Sequence, residues 1–359
     1  MTRPTAPITG ETVEILPQHR FDAAALDAYL AREIAGYRGN LAVRQFNSGF
    51  SNPTFLLEAD SETGGRRRFV MRKKPPGALL ASAHQVDREY KVLSALAGSA
   101  VPVPRTRAFC ADDSIIGQMF YVMDCVDGRI FTDPTLPGLS PAERAAIFDS
   151  MNKVLAALHL VDYRAVGLGD FGREGGYIAR QVARWSKQYE AARTEEIPAM
   201  ERLIEFLPNN LPDEDSTVIA HGDYRLGNLI VHPTEPRVIA VLDWELATLG
   251  HPLCDLAYNC VGYVLAEPPH GFASAPAGSG IPSRAEYVAA YCRRTGRAGI
   301  ADFDYYLAFS LFRLAAIAQG VYKRGLDGNA ASADALSRRH HARQRAELAW
   351  SLVSDRAAR

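Results

Sequence analysis

The chain of 359 residues has no CxxC pair, and its five cysteines (Cys110, Cys125, Cys254, Cys260, Cys292) are an odd number, which argues against a disulfide framework. No apolar run reaches the length of a membrane span. The opening stretch MTRPTAPITGETVEILPQHRFD lacks the hydrophobic centre of a signal peptide. There is almost no net charge, formally -1, so no whole-molecule field recruits nucleic acid or an anionic membrane. We expect a cytoplasmic protein with reduced cysteines, a monomer or homodimer that binds neither nucleic acid nor membrane. No internal repeat is visible. What the sequence does have is 47% apolar and 23% charged residues over a length that suits two lobes rather than one small module.

Residues 1–20, rich in Pro and Thr, read as a flexible N-terminal arm. Phe21 to Ala35 has a helical pattern. Leu41–Phe46, Thr54–Ala59 and Arg68–Lys73 then read as strands separated by Gly, Ser and Asn clusters, which predicts an antiparallel sheet. Ser82 with Gln85 is a capping box opening a helix that runs to Gly98. Residues 101–104 and 110–114 are extended or turning, and Gly117–Met123 is a further strand. Beyond Pro134 long helices dominate. Ser140 and Glu143 cap one with the stripe Ile147, Met151, Val154, Leu155, Leu158. Ile178, Val182, Trp185 and Tyr189 mark a second, Ser283 and Glu286 cap a third over Arg284–Thr295, and a fourth covers Tyr305–Arg324. We divide the chain into the arm, a sheet lobe over 21–125 and a helical lobe over 126–359.

The densest chemical signal lies between Thr217 and Asp243. Val218–Ala220 is a short apolar strand ending at His221-Gly222-Asp223-Tyr224-Arg225-Leu226-Gly227-Asn228. Leu229–Val231 is a second strand, and Val238–Leu242 a third that stops at Asp243-Trp244-Glu245. Joined in sequence as a hairpin, these strands would bring Asp223, Asn228 and Asp243 to one point. One aspartate could then accept a proton while an Asn oxygen and the second carboxylate hold Mg²⁺, the parts that phosphoryl transfer needs. His221 reads as a packed scaffold residue.

This pattern, His221 to Asn228 followed by Leu242-Asp243-Trp244-Glu245, resembles the catalytic and metal segments of the aminoglycoside phosphotransferase and choline kinase family. The resemblance runs from about residue 40 to 330. It is closest to the subgroup of kinase-like domains related to those fused to acyl-CoA dehydrogenases, supported by FVMRKKPPG (69–77), VGLGDFG (166–172) and TLGHPLCDLAY (248–258). It implies an α+β, two-lobed protein-kinase-like fold, with an antiparallel-sheet N-lobe carrying one helix and a mainly helical C-lobe. It also implies ATP as co-substrate with Mg²⁺, Asp223 as the base, and Asn228 and Asp243 as metal ligands. Asp255 would be a buried acceptor bracing the catalytic loop, a position that reads equally well as an ordinary residue near a helix N-terminus.

Glu89 interrupts the apolar face of its helix (Val86, Val92, Leu93, Leu96) and therefore needs a cation. Arg72, Lys73 and Lys74 are available on the preceding strand. In kinase-like folds a strand cation pairs with this glutamate and holds the nucleotide phosphates. Strand alternation groups Arg72 with Val70, which favours Arg72 over Lys73. The turn Asn47–Asn52 would cover the phosphates with its amides and with Ser48, Ser51 and Asn52, although it lacks GxGxxG. Met123-Asp124-Cys125-Val126 would be the hinge, where the Asp124 carbonyl and Val126 amide read a purine edge.

The acceptor is less defined. Arg180, Arg184 and Lys187 recur on one face of the helix bearing Trp185, and read either as an anion clamp or as a solvated face. Arg313, Ile317, Gly320 and Arg324 share one face of a late helix, and Arg225 is the best-placed cation, inside the catalytic loop. No acidic cluster suited to an aminocyclitol antibiotic is evident. The expected activity is transfer of the γ-phosphate to a hydroxyl of a small molecule, a hydroxy acid or hydroxyacyl-CoA. An antibiotic phosphotransferase, a non-catalytic nucleotide-binding pseudokinase and, more remotely, a protein kinase are the alternatives.

Overall fold

Short strands rich in β-branched and aromatic residues build the first lobe of the structure. It is a computed structural model and describes residues 10–47, 52–75, 85–266, 271–273, 275–328 and 335–357. The lobe contains β1 (Thr12–Val13), α1 (Ala23–Glu33), β2 (Ala42–Phe46), β3 (Thr54–Asp60), β4 (Arg66–Lys73), α2 (Val86–Leu96), β5 (Thr106–Cys110), α3 (Asp113–Ile116) and β6 (Phe120–Asp124). Its strands form a six-stranded sheet in the order β1-β2-β3-β4-β6-β5, every neighbouring pair antiparallel.

Three readings of this lobe change. From Thr12 the arm expected to be loose is an edge strand, pinned by polar side chains of β2. Arg44 Nε lies 2.9 Å from Thr12 Oγ1, and Gln45 Oε1 accepts the Leu16 amide at 3.1 Å. The lobe carries α1 and α2 as well as the single turn α3, rather than one helix, because each face of the sheet needs a cover. α1 seals one face through Leu26, Leu30 and Ile34 against Phe55, Phe69 and Met71. On the other side α2 joins the core of the second lobe through Val86, Val92, Leu93 and Leu96. Finally, α2 begins at Val86 after Gln85, and Ser82 lies outside the described residues.

The second lobe comprises α4 (Pro141–His159), α5 (Tyr177–Ala192), α6 (Pro198–Asn209), β7 (Val218–Ala220), β8 (Leu229–Val231), β9 (Val238–Val241), β10 (Thr248–Gly250), α7 (Pro252–Asn259), α8 (Arg284–Thr295), α9 (Phe303–Leu326) and α10 (His341–Ala357). Both capping boxes form, Ser140 with Glu143 and Ser283 with Glu286. Along α5, Ile178, Val182 and Tyr189 are buried, while Trp185 is only half-buried at the edge of that stripe. Among the described residues no helix is long and apolar enough to cross a membrane.

Candidate active site

The loop from His221 to Asn228 rests on two small ladders, not on one run of three strands. β8 pairs with β9, whereas β7 pairs with β10. The chain reverses because Asp243 adopts φ 65°, ψ 60°, a left-handed conformation that Asp tolerates, before a tight turn over Trp244–Leu246. The intended convergence survives. Leu229 faces Val241, and beyond the ladder the Leu242 amide donates to the Asn228 carbonyl at 2.8 Å, so Asn228 and Asp243 meet at adjoining strand ends.

Asp223 is held on both carboxylate oxygens. The Tyr258 hydroxyl donates to Oδ1, and Asn228 Nδ2 donates to Oδ2 at 2.7 Å and to the Asp223 carbonyl at 2.9 Å. Arg225 Nε stands 3.3 Å from Oδ2. The amide nitrogen of Asn228 is therefore occupied, and its Oδ1 is the atom left to accept or to coordinate.

His221 is buried and connects the two segments. Its Nδ1 accepts from the Asp223 amide at 3.2 Å, and its Nε2 donates to the Leu242 carbonyl at 2.9 Å, which fixes one neutral tautomer. The ring lies 4.7 Å from that of Trp244. Asp255, in the first turn of α7, directs its carboxylate to the loop: the amides of His221 and Gly222 donate at 2.6 and 2.8 Å, and His159 Nε2 lies 3.4 Å away. Burial alone would raise its proton affinity, but His159 and the amides hold its carboxyl below the ordinary value. Gly222 has φ +82°, and a Cβ there would come within 2.8 Å of the Leu246 carbonyl oxygen, so the loop requires glycine.

Strand β4 supplies the opposite wall. Arg72 Nη1 lies 3.0 Å from Glu89 Oε2 and 3.2 Å from Asp243 Oδ1, and Nη2 lies 3.7 Å from Glu245. Glu89 also accepts from Tyr121 Oη at 2.9 Å and Asn52 Nδ2 at 2.8 Å. Lys73 turns to the other face of the sheet, with Nζ 5.2 Å from the Phe21 ring centre, and burial lowers its proton affinity. Alternation thus places Arg72, not Lys73, beside Glu89. Asn52 does not reach the cavity; its amide buttresses Glu89. Ser48 and Ser51 lie outside the described residues.

A cavity of about 550 Å³ separates these walls, lined by Val70, Arg72, Met123, Asp124, Cys125, Val126, Ile230, Leu242, Asn228 and Asp243 among others. At the hinge, the Asp124 amide is taken by the Arg105 carbonyl at 2.9 Å, and Arg107 holds its carboxylate at 2.8 and 2.5 Å. No backbone hydrogen bond of Val126 is found among the described residues.

Nothing in the sequence pattern marks Tyr258, although it follows Asp255 by three residues and so shares its helix face. It links the loop to Arg313 and, through Arg313, to Trp185. The Arg313 guanidinium lies 5.2 Å from the Tyr258 ring centre and 5.5 Å from that of Trp185, and its buried Nε has no hydrogen-bond partner among the described residues. Arg184 lies 5.4 Å from the Trp185 ring centre but is exposed. Of the two readings of this helix face, Arg180 does not serve a clamp: its guanidinium donates to the carbonyls of Gly175 and Arg173.

With this geometry in hand, the similarities fall into place. Residues 42–303 match the family described as "Phosphotransferase enzyme family". A human protein named acyl-CoA dehydrogenase family member 11 is 48% identical over 336 residues, covering 91% of this chain and 42% of the relative. The chain thus spans about two-fifths of the length of the curated relatives it matches. A solved structure from Ralstonia eutropha, provisionally assigned as an aminoglycoside phosphotransferase, is 49% identical with a TM-score of 0.85, covering 94% of this chain and 99% of that one. Choline kinase from Cryptosporidium parvum, 13% identical, shares the fold with a TM-score of 0.64 over 94% of this chain and 97% of its own.

Proposed function

The chain belongs to the phosphotransferase enzyme family, and from that premise we propose that it moves the γ-phosphate of ATP to a hydroxyl of a small anionic molecule, a hydroxy acid or a hydroxyacyl-CoA. The observation that carries the reading is Asp223: a half-buried carboxylate anchored by Tyr258, Asn228 and Arg225, beside a cavity whose far wall is Arg72 on Glu89. The acceptor oxygen forms a bond to the γ-phosphorus as the bond to the bridging β–γ oxygen breaks. The bonding pair leaves on ADP, and the hydroxyl proton passes to Asp223. His221 and Asp255 keep that carboxylate's backbone in place, and Arg72 faces the phosphates.

Mg²⁺ fits the donors present. Arg72 faces three carboxylates, Glu89, Asp243 and Glu245, an excess of negative charge suited to a divalent ion. Asn228 Oδ1 and Asp243 would hold it. Among the described residues no group of three or more His, Cys, Asp or Glu is placed to hold a metal ion, so Asn228 and Asp243 would have to share it with ligands from outside the protein. When bound, it would neutralise charge on the phosphates.

The preference for an anion rests on Arg225 and Arg313, which border Asp223 and Tyr258 and would repel a polycationic antibiotic. A relative named for the acyl-CoA dehydrogenases points the same way. A phosphate-transfer screen over pooled hydroxy acids, hydroxyacyl-CoAs, amino alcohols and aminoglycosides, read as ADP release, tests the whole reading. Turnover is expected with the first two pools. Turnover with aminoglycosides alone would overturn the anionic acceptor, and MgATP binding without any turnover would favour the pseudokinase. With the acceptor found, Arg313→Gln is expected to raise its KM about tenfold while the KM for MgATP stays within about twofold.

A further inference from the structure

The segment 166–172, VGLGDFG, has no part in the chemistry above, yet it is tightly built. The Leu168 amide donates to the Tyr163 carbonyl at 2.7 Å, the Phe171 amide to the Leu168 carbonyl at 3.0 Å, and the Phe171 ring is buried. A Cβ on Gly172 would stand 2.7 Å from both the Leu249 nitrogen and Thr248 Oγ1. The turn therefore lies flush on β10, the strand paired with the one that leads into His221.

Helix α2 meets the same turn from the sheet lobe. Arg88 Nη2 donates to the Phe171 carbonyl at 2.6 Å and to the Ala247 carbonyl at 3.3 Å, and its guanidinium carbon lies 4.1 Å from the Phe171 ring centre. The Ala247 amide in turn bonds the Trp244 carbonyl at 3.0 Å, so that acceptor belongs to the turn following Asp243. Lys91 also reaches Asp170, but these side chains are 42% and 76% exposed, too wet to carry the connection. Arg88 precedes Glu89 by one residue, and a helix rotates about 100° per residue. One side chain therefore faces the helical lobe while the next is buried against Arg72.

We propose that Arg88 is a positioning residue that ties α2 to the VGLGDFG turn and to the segment after Asp243, so that Glu89 presents Arg72 to the phosphates of the bound nucleotide. The proposal rests on the nucleotide-binding reading given above. In it, VGLGDFG is a docking surface for α2, and its effect on the reaction travels through Glu89.

Isothermal titration with Mg²⁺-AMP-PNP and, separately, with adenosine tests it on wild type, Arg88→Met, Arg88→Lys, Glu89→Gln and the Arg88→Met/Glu89→Gln pair. Arg88→Met keeps an unbranched side chain of similar length beside Phe171 and removes the guanidinium, with its contact to the ring and both hydrogen bonds of Nη2. It is expected to weaken Mg²⁺-AMP-PNP about tenfold and to leave adenosine within about twofold, because only the phosphates feel Arg72. Arg88→Lys should recover part of the loss, and serves for the comparison if the Met variant does not fold. In the Glu89→Gln background, Arg88→Met should add less than about a further twofold. An equal loss in both backgrounds, or a parallel loss for adenosine, would overturn the proposal. A wild-type protein that fails to bind Mg²⁺-AMP-PNP would instead overturn the nucleotide reading.

Discussion

Asp223→Asn is expected to lower kcat by about three orders of magnitude, roughly 4 kcal/mol of barrier, while the Kd for Mg²⁺-AMP-PNP stays within about threefold of wild type. The asymmetry follows from the contacts. Asp223 touches Tyr258, Asn228 and Arg225, and is absent from the cavity wall that carries Arg72, Asn228 and Asp243. An asparagine cannot reproduce this arrangement. Its oxygen can face Tyr258 or Asn228, but its NH₂ group then meets a second donor where an acceptor stood. Tyr258→Phe separates the two effects, since it retains the carboxylate and removes one donor to it. Tyr258 is well placed as a permanent donor, because burial first and the Asp223 charge second push its hydroxyl far above the ordinary value. That variant should lose about tenfold in kcat, far less than Asp223→Asn. Full activity in Asp223→Asn would remove Asp223 from the reaction. A matching collapse of nucleotide affinity would make it a structural residue.

How much of this site can be read from the sequence depends on how local the cause is. The meeting of Asp223, Asn228 and Asp243 is legible because all three flank short apolar strands, whose ends are marked by abrupt loss of apolar character. The pairing of β7 with β10 is not legible: strands of three residues have no period to read, and only the left-handed turn at Asp243 brings β10 back. Alternation along β4 places Arg72 and Lys73 on opposite faces, as a two-residue period requires. It says nothing about Asn52, whose partner Glu89 is distant in sequence. Helix α10 escapes notice for a different reason. Three of the four residues in its buried stripe, Ala342, Ala346 and Ala349 beside Val353, are alanines, which pack closely on α9 but give little hydrophobic signal. For α6 the signal is present: Pro198 stands at the first position, ahead of Met200, Leu203, Phe206 and Leu207 at helical spacing. The resemblance draws attention to VGLGDFG, but its physical purpose needs the contact with Arg88, which no spacing rule supplies.

Arg72→Met should cost about 3–5 kcal/mol of folding stability at pH 8 and only about 1 kcal/mol at pH 5. Arg72 is 8% exposed and Glu89 is fully buried, so the pair has little help from water. Burial pushes the Glu89 carboxyl up to about 7, and the nearby Asp243 and Glu245 charges add to the rise, while Arg72 and Tyr121 oppose it. Arg72 itself stays charged: burial works against the guanidinium, but Glu89 and its neighbours outweigh burial and hold its proton affinity above the ordinary value. The native state thus binds the Glu89 proton more tightly than the unfolded chain does. Through this group wild-type stability is greatest below about pH 4.5 and declines as pH rises to about 7. Without Arg72 the carboxyl moves higher still, so at pH 5 it is neutral and tolerates its buried site. At pH 8 it must either ionise unpaired or hold a proton against the solution. Urea denaturation at the two pH values measures the difference. The Arg72→Met/Glu89→Gln pair should regain most of the loss at pH 8, because it removes the stranded charge together with its partner. A penalty independent of pH, or a double variant no more stable than Arg72→Met, would mean that Glu89 is not the group whose charge Arg72 supports.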